Sequence, residues 1–123
     1  MTQITKNFTR EELACGCHKC SSMMNIFFMT EKLQPLRDLV GFSLPISSGV
    51  RCGTHNAAVG GAPASRHLYG DAVDITWTQM SGAQKLQLLQ AARSLGFSGF
   101  GLSPLFLHLD TREGPVVTWF YPA

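Results

Sequence analysis

Three side chains of this sequence have the types and the spacing of a metal site. His67 and Asp74 lie in the segment SRHLYGDAVDI, and His108 lies far downstream in FLHLD. A catalytic zinc ion uses three protein ligands of nitrogen or oxygen type and leaves a further position open for water. We therefore predict that His67, Asp74 and His108 bind one zinc ion.

The elements around these residues can bring them together. Residues 71–77 (DAVDITW) and 105–110 (LFLHLD) both read as β-strands. Two neighbouring strands can carry ligands from distant sequence positions on one face of a sheet. Gly70 permits the sharp turn that would return His67 to a place beside Asp74.

The remaining pattern predicts how these strands are packed. We predict helices at residues 25–40 and 81–95, with a kink or split at Pro35 in the first. Ser81 and Gln84 have the capping-box spacing that begins the second helix. Further strands are predicted at residues 44–47, 100–102 and 116–121, with Glu113–Gly114 as the turn of a closing hairpin.

This order of elements predicts an α+β fold. The strands cluster mostly after residue 70, apart from the helices, which favours an antiparallel sheet packed by helices. The length of 123 residues predicts one small domain over 1–123. The formal net charge of +2, without a Lys/Arg cluster, argues against nucleic-acid binding. No stretch reaches the roughly 18 apolar residues of a membrane span, so we expect no membrane insertion.

The motifs together resemble a known enzyme family. Ser48–Arg51 (SGVR), Ser65–Asp74 (SRHLYGDAVD) and His108–Asp110 (HLD) are similar to the motifs of the M15 family of zinc peptidases, which includes D-Ala-D-Ala carboxypeptidases and phage endolysins. The late HxD motif resembles that of the small branch of this family. The resemblance implies a fold like that of D-Ala-D-Ala peptidases and hedgehog signalling domains, and it includes every proposed zinc ligand.

The resemblance also implies roles for residues around the metal. The family's arginine at the position of Arg51 binds the substrate carboxylate or stabilises the oxyanion, tasks that suit an always-charged guanidinium. Ser65 matches a serine that can hydrogen-bond the substrate or a ligand, or it only caps local backbone. Val50 stands where many relatives have an aromatic residue. Trp119 is our candidate for the wall of a substrate groove, with burial in the core as the alternative.

The general base is not given by the motifs. Many relatives carry an acidic residue or a histidine two to three residues before the last ligand, where this chain has Leu105 and Phe106. Asp110 is the natural substitute, because residues two apart on a strand face the same side. Asp110 can accept a proton from water or orient the ligand histidine, and both roles stay open. Asp71 and Glu113 are further candidates.

Four cysteines leave three alternatives open. They are Cys15, Cys17, Cys20 and Cys52. Cys52 can form a disulfide with one of the other three, all four can be free thiols, or the set can bind a second, structural zinc ion.

The resemblance implies a zinc-dependent peptidoglycan peptidase that acts as a monomer on the stem peptide. The bond cleaved would join L-Ala to D-Glu or the two D-Ala residues. The sequence begins without the basic start and apolar run of a signal peptide, so we expect synthesis in a host cytoplasm and action on the wall after release, as in a phage endolysin. The alternative is a non-catalytic zinc-binding wall or signalling module of the same fold, which the missing acid at residues 105–106 keeps open.

Overall fold

The computed structural model describes residues 3–9, 13, 26–49, 66 and 71–121. Three helices lie in this part of the chain: α1 (Ile26–Phe28), α2 (Gln34–Val40) and α3 (Gly82–Ser94), with a π-helical segment (Met29–Leu33) joining the first two. Five strands complete it: β1 (Ile46–Ser48), β2 (Ala72–Thr76), β3 (Gly99–Leu102), β4 (Phe106–Asp110) and β5 (Val117–Phe120). The α+β class predicted from the sequence is confirmed.

The five strands form one sheet in the order β1-β2-β4-β3-β5. The pairs β1–β2, β2–β4 and β3–β4 are antiparallel, but β3 and β5 are parallel. The sheet is therefore mixed where an antiparallel sheet was predicted, and the predicted β4–β5 hairpin was wrong. The reason is that β2 and β3 already pair with both edges of β4. The chain does turn at Gly114 (φ 97°), but β5 crosses over to the outer edge of β3.

The helices begin and end where their sequence signals indicate. The split predicted at Pro35 is a change from π-helical to α-helical geometry at Gln34, one residue earlier. Proline lacks the N–H that would continue a regular helical ladder. Helix α3 begins with the predicted capping box: the backbone N–H of Gln84 donates to Ser81 Oγ (3.1 Å), and that of Ser81 to Gln84 Oε1 (2.9 Å).

The hydrophobic core joins one face of the sheet to the helices. Alternate residues of the two central strands belong to it: Val73, Ile75, Leu107 and Leu109. Because side chains alternate between faces, the intervening residues Asp74, His108 and Asp110 lie on the opposite face. The core thereby fixes the register of the strands that carry the candidate site. Within the described part of the chain, no helix has both the length and the apolar character needed to cross a membrane.

Candidate metal centre

The candidate site lies on a row of residues that runs across the sheet. Asp74 of β2 is paired with His108 of β4, and His108 is paired on its other side with Gly101 of β3. Gly101 is in turn paired with Trp119 of β5. Two residues that are far apart in sequence and were predicted as ligands are thus direct cross-strand neighbours.

Asp74 and His108 are close enough to share a metal ion. Nδ1 of His108 lies 3.0 Å from Oδ1 of Asp74, and the two residues are only 4% and 7% exposed, respectively. Two ligand atoms bound at about 2.0–2.1 Å to a tetrahedral zinc ion lie roughly 3.3 Å apart. This imidazole–carboxylate pair therefore fits two corners of such a site. The third predicted ligand, His67, lies outside the described residues, as do Arg51 and Ser65.

The other ring nitrogen of His108 faces a second carboxylate. Nε2 of His108 lies 2.7 Å from Oδ2 of Asp110, which is fully buried. If Nε2 carries the proton and donates it to Asp110, the lone pair of Nδ1 is directed towards Asp74. Burial works against a charged His108, but its hydrogen bonds to Asp110 and Asp74 outweigh burial and raise its pKa above the ordinary value.

Arg112 fixes the Asp110 carboxylate with three N–H groups. Its Nε donates to Oδ1 (2.9 Å), its Nη2 to Oδ2 (2.6 Å), and its backbone N–H to Oδ1 (3.1 Å). Burial alone would raise the pKa of Asp110. The hydrogen bonds from Arg112 and His108 outweigh that effect and place this pKa below its usual range. Asp110 is therefore an ionised hydrogen-bond acceptor that lies between a histidine and an arginine.

Two glycines of β3 provide the space in which these side chains lie. A Cβ atom on Gly99 would lie 2.1 Å from Oδ1 of Asp110. A Cβ atom on Gly101 would lie 2.6 Å from Nε1 of Trp119 and 2.7 Å from Cε2 of Tyr121. Our sequence reasoning missed both residues. The signal was Gly101 inside the strand predicted at 100–102 and Gly99 just before it, because glycine in a strand often marks a close approach of another group.

Trp119 lies beside the candidate ligand, at the position in the row beyond Gly101. Its ring centroid is 5.2 Å from that of His108, and the Arg112 guanidinium lies 4.8 Å above the indole. The indole is half-buried rather than a core residue. The structure therefore brings Trp119 next to the proposed metal site, and its contact with substrate stays a prediction.

The other candidate bases are placed less favourably. Asp71 lies just before β2 and forms a two-pronged ion pair with Arg66, with Nε of Arg66 3.2 Å from Oδ1. This pair joins the two ends of the segment 67–70, which contains the predicted ligand His67. Glu113 is exposed.

The four cysteines lie outside the described residues, so the three alternatives for them stay open.

Comparison with known proteins identifies the family of the chain. The sequence model of the peptidase M15 family matches residues 6–110. A stretch of 69 residues is 42% identical to the zinc D-Ala-D-Ala carboxypeptidase of Streptomyces albus G. This match covers 54% of the present chain and 26% of that relative, so it spans about a quarter of the relative's length. Because the family match covers most of the chain, this protein belongs to the peptidase M15 family, as its motifs predicted.

Proposed function

We propose that this protein is a zinc-dependent peptidase that hydrolyses peptide bonds of peptidoglycan. The carrying observation is the buried Asp74–His108 pair, which is matched in distance and chemistry to a zinc site and lies in a chain of the M15 family. His67 would be the third ligand. When bound, a zinc ion at this place polarises the scissile carbonyl and lowers the pKa of water.

Of the two roles considered for Asp110, we favour orientation of His108. The carboxylate accepts three N–H groups of Arg112 and faces Nε2 of His108, and it is fully buried. A general base needs a pKa near the working pH, whereas these contacts depress that of Asp110. The proton acceptor is then a different group, which can be a carboxylate of the substrate itself.

The proposed substrate is the peptidoglycan stem peptide. The named relative is a D-Ala-D-Ala carboxypeptidase, and the stem peptide contains that bond. Arg51 would bind a substrate carboxylate or the oxyanion, Ser65 would hydrogen-bond the substrate, and Trp119 would line the groove beside His108. We further propose that the protein acts as a monomeric phage endolysin that reaches the wall after release. The two bonds under consideration are L-Ala–D-Glu and D-Ala–D-Ala.

The decisive experiment is digestion of purified muropeptides, followed by mass spectrometry. The zinc-loaded protein should convert the stem peptides to shorter products, and the product masses identify the bond. A chelator should stop the reaction, and added zinc should restore it. If the protein binds zinc but leaves every muropeptide intact, the proposed hydrolysis is refuted and the alternative of a non-catalytic zinc-binding module is supported. That alternative is favoured by the absence of an acid at Leu105 and Phe106.

The role of Asp110 can be tested by Asp110→Asn. If Asp110 only orients His108, zinc affinity should fall by about 10–100-fold, and excess zinc should restore most of the rate. If it is the base, turnover should fall by about 10²–10⁴-fold while the zinc content stays near one per chain. We expect the first result. Asp38→Asn, the same change at an exposed position of α2, is the matched control.

A further inference from the structure

We propose that Arg112 is a positioning residue of the metal site. In this inference Arg112 fixes the Asp110 carboxylate, and Asp110 in turn fixes the ring of His108 with Nδ1 directed towards Asp74. The inference rests on the zinc site proposed above and goes beyond its ligands.

The first step is the geometry of the ion pair between Asp110 and Arg112. Asp110 is the last residue of β4, and Arg112 lies two residues beyond the end of that strand. The backbone N–H and Nε of Arg112 both donate to Oδ1, while Nη2 donates to Oδ2. A planar guanidinium that reaches both oxygens of a carboxylate fixes its rotation as well as its position.

The second step is the dependence of His108 on that rotation. Oδ2 of Asp110 receives Nη2 of Arg112 and also lies 2.7 Å from Nε2 of His108. The carboxylate is fully buried, so without the Arg112 side chain its charge would lose its cation and two of its four described donors. The backbone N–H of residue 112 would still bind Oδ1, but Oδ2 would keep no described partner except His108 itself, so the orientation of His108 would be less firmly fixed.

The third step distinguishes positioning from direct substrate binding. The Arg112 side chain is 31% exposed and lies 4.8 Å above the ring of Trp119, so it borders the proposed groove. A substrate-binding arginine would direct the donor nitrogens of its guanidinium into that groove. In the structure Nε and Nη2 of Arg112 donate to Asp110 instead, and the Trp119 ring lies against the guanidinium. Arg112 therefore acts on the metal site through Asp110.

The test is a double-mutant cycle on zinc affinity, which needs no substrate. Zinc affinity is measured by competition with a chromophoric chelator for the wild type, Arg112→Gln, Asp110→Asn and the double variant. Arg112→Gln should weaken zinc binding by about 10–100-fold, as expected for loss of a group that orients a ligand. The double variant should be no weaker than Asp110→Asn by more than about 2-fold, because residues that act through one another are not additive.

Two further variants control for fold and charge. Arg112→Lys retains a positive charge but not the planar guanidinium, so its zinc affinity should lie between those of the wild type and Arg112→Gln. Arg93→Gln makes the same charge change on the exposed face of α3 and should leave zinc affinity unchanged. Cobalt-loaded samples add a spectroscopic reading, since the visible band should change in Arg112→Gln and not in Arg93→Gln.

The inference is overturned if Arg112→Gln binds zinc as tightly as the wild type. It is equally overturned if the loss persists in full in the Asp110→Asn background, or if only KM for muropeptides rises, which would make Arg112 a substrate-binding residue. Failure of the proposed function would look different: the zinc-loaded wild type would not cleave muropeptides, while zinc affinity would still depend on Arg112 through Asp110.

Discussion

The substitution Gly99→Ala should lower both the stability of the protein and its zinc affinity, although Gly99 is not a proposed ligand. A Cβ atom at residue 99 would lie 2.1 Å from Oδ1 and 2.3 Å from Oδ2 of Asp110. Movement of the carboxylate to an ordinary contact requires a displacement of roughly 1.3 Å. Asp110 cannot make that movement and retain its bonds of 2.6 Å to Arg112 and 2.7 Å to His108.

The expected loss of stability follows from the hydrogen bonds of Asp110 that this displacement breaks. Overpacking of a filled interior costs about 1–3 kcal/mol, and each hydrogen bond to a charged group contributes about 1.5–3 kcal/mol. Partial relaxation recovers some of this, so we expect the free energy of unfolding of the metal-free protein to fall by about 2–3 kcal/mol. For a domain of this size that lowers Tm by about 6–15 °C. Zinc affinity should fall by about 10–100-fold, as for loss of the Asp110 contact itself.

Thermal melting of the metal-free protein and zinc competition measure the two effects. Gly82→Ala is the matched control, because it makes the same change at the first residue of α3 with nothing within 4 Å, and it should be neutral or slightly stabilising. In an Asp110→Ala background the obstructing carboxylate is gone, so Gly99→Ala should add little further loss. Wild-type melting and zinc affinity in Gly99→Ala would refute the argument that the carboxylate is confined.

Three further predictions concern the ligands and the groove. His67→Ala should lose both zinc and wall-lytic activity while much of the fold remains, which metal analysis and circular dichroism can check; full metal content in this variant would mean that the ligand is misassigned. Trp119→Ala should raise KM for muropeptides and leave zinc content unchanged, whereas Trp119→Phe should retain most of the affinity; an unchanged KM would exclude Trp119 from the groove. Asp71→Asn weakens the ion pair with Arg66 that joins the ends of segment 67–70, so zinc should dissociate faster into excess chelator; wild-type dissociation would show that this pair does not support His67.

The pairing of Asp74 with His108 could be predicted from the sequence. Both residues lie in short segments where apolar and polar positions alternate, and burial of the apolar set fixes which face each polar side chain occupies. A slip of one residue would place Leu107 or Leu109 at the site and send His108 into the core. Hydrophobic patterning therefore predicts the geometry of the polar pair, because the register of a half-buried strand is strongly specified.

The place of β5 could not be predicted in the same way. Its residues form a short strand, and the turn at Gly114 was recognised, but the partner of a strand depends on which edges other strands leave open. Here β4 lies between β2 and β3, so β5 pairs in parallel with β3. Local patterns carry no information about that competition. This placement is nevertheless what brings Trp119 beside His108.

The supporting residues Gly99 and Arg112 were missed for a related reason. Gly99 lies against Asp110 of the neighbouring strand. The Arg112 side chain folds back past the end of β4 to bind the same carboxylate. An arginine two residues after a strand reads as an exposed loop residue until the buried carboxylate beneath it is known. The sequence thus indicates the candidate ligand residues Asp74 and His108 more readily than the residues that contact and support them.

Two residues of β4, Phe106 and Asp110, flank His108 on its face of the sheet and bear on the identity of the proton acceptor. The family resemblance led us to expect an acid or a histidine two to three residues before His108, and one of those positions is Phe106. Phe106 shares the face of His108 and packs against Tyr121, with ring centroids 5.1 Å apart, so that position is filled by an aromatic pair. On the other side of His108 along the strand, Asp110 is bound by Arg112 and directed at Nε2. If Asp110 has the orienting role proposed above, both neighbours of His108 on this face serve packing or orientation, and we expect the proton acceptor to be a group outside β4.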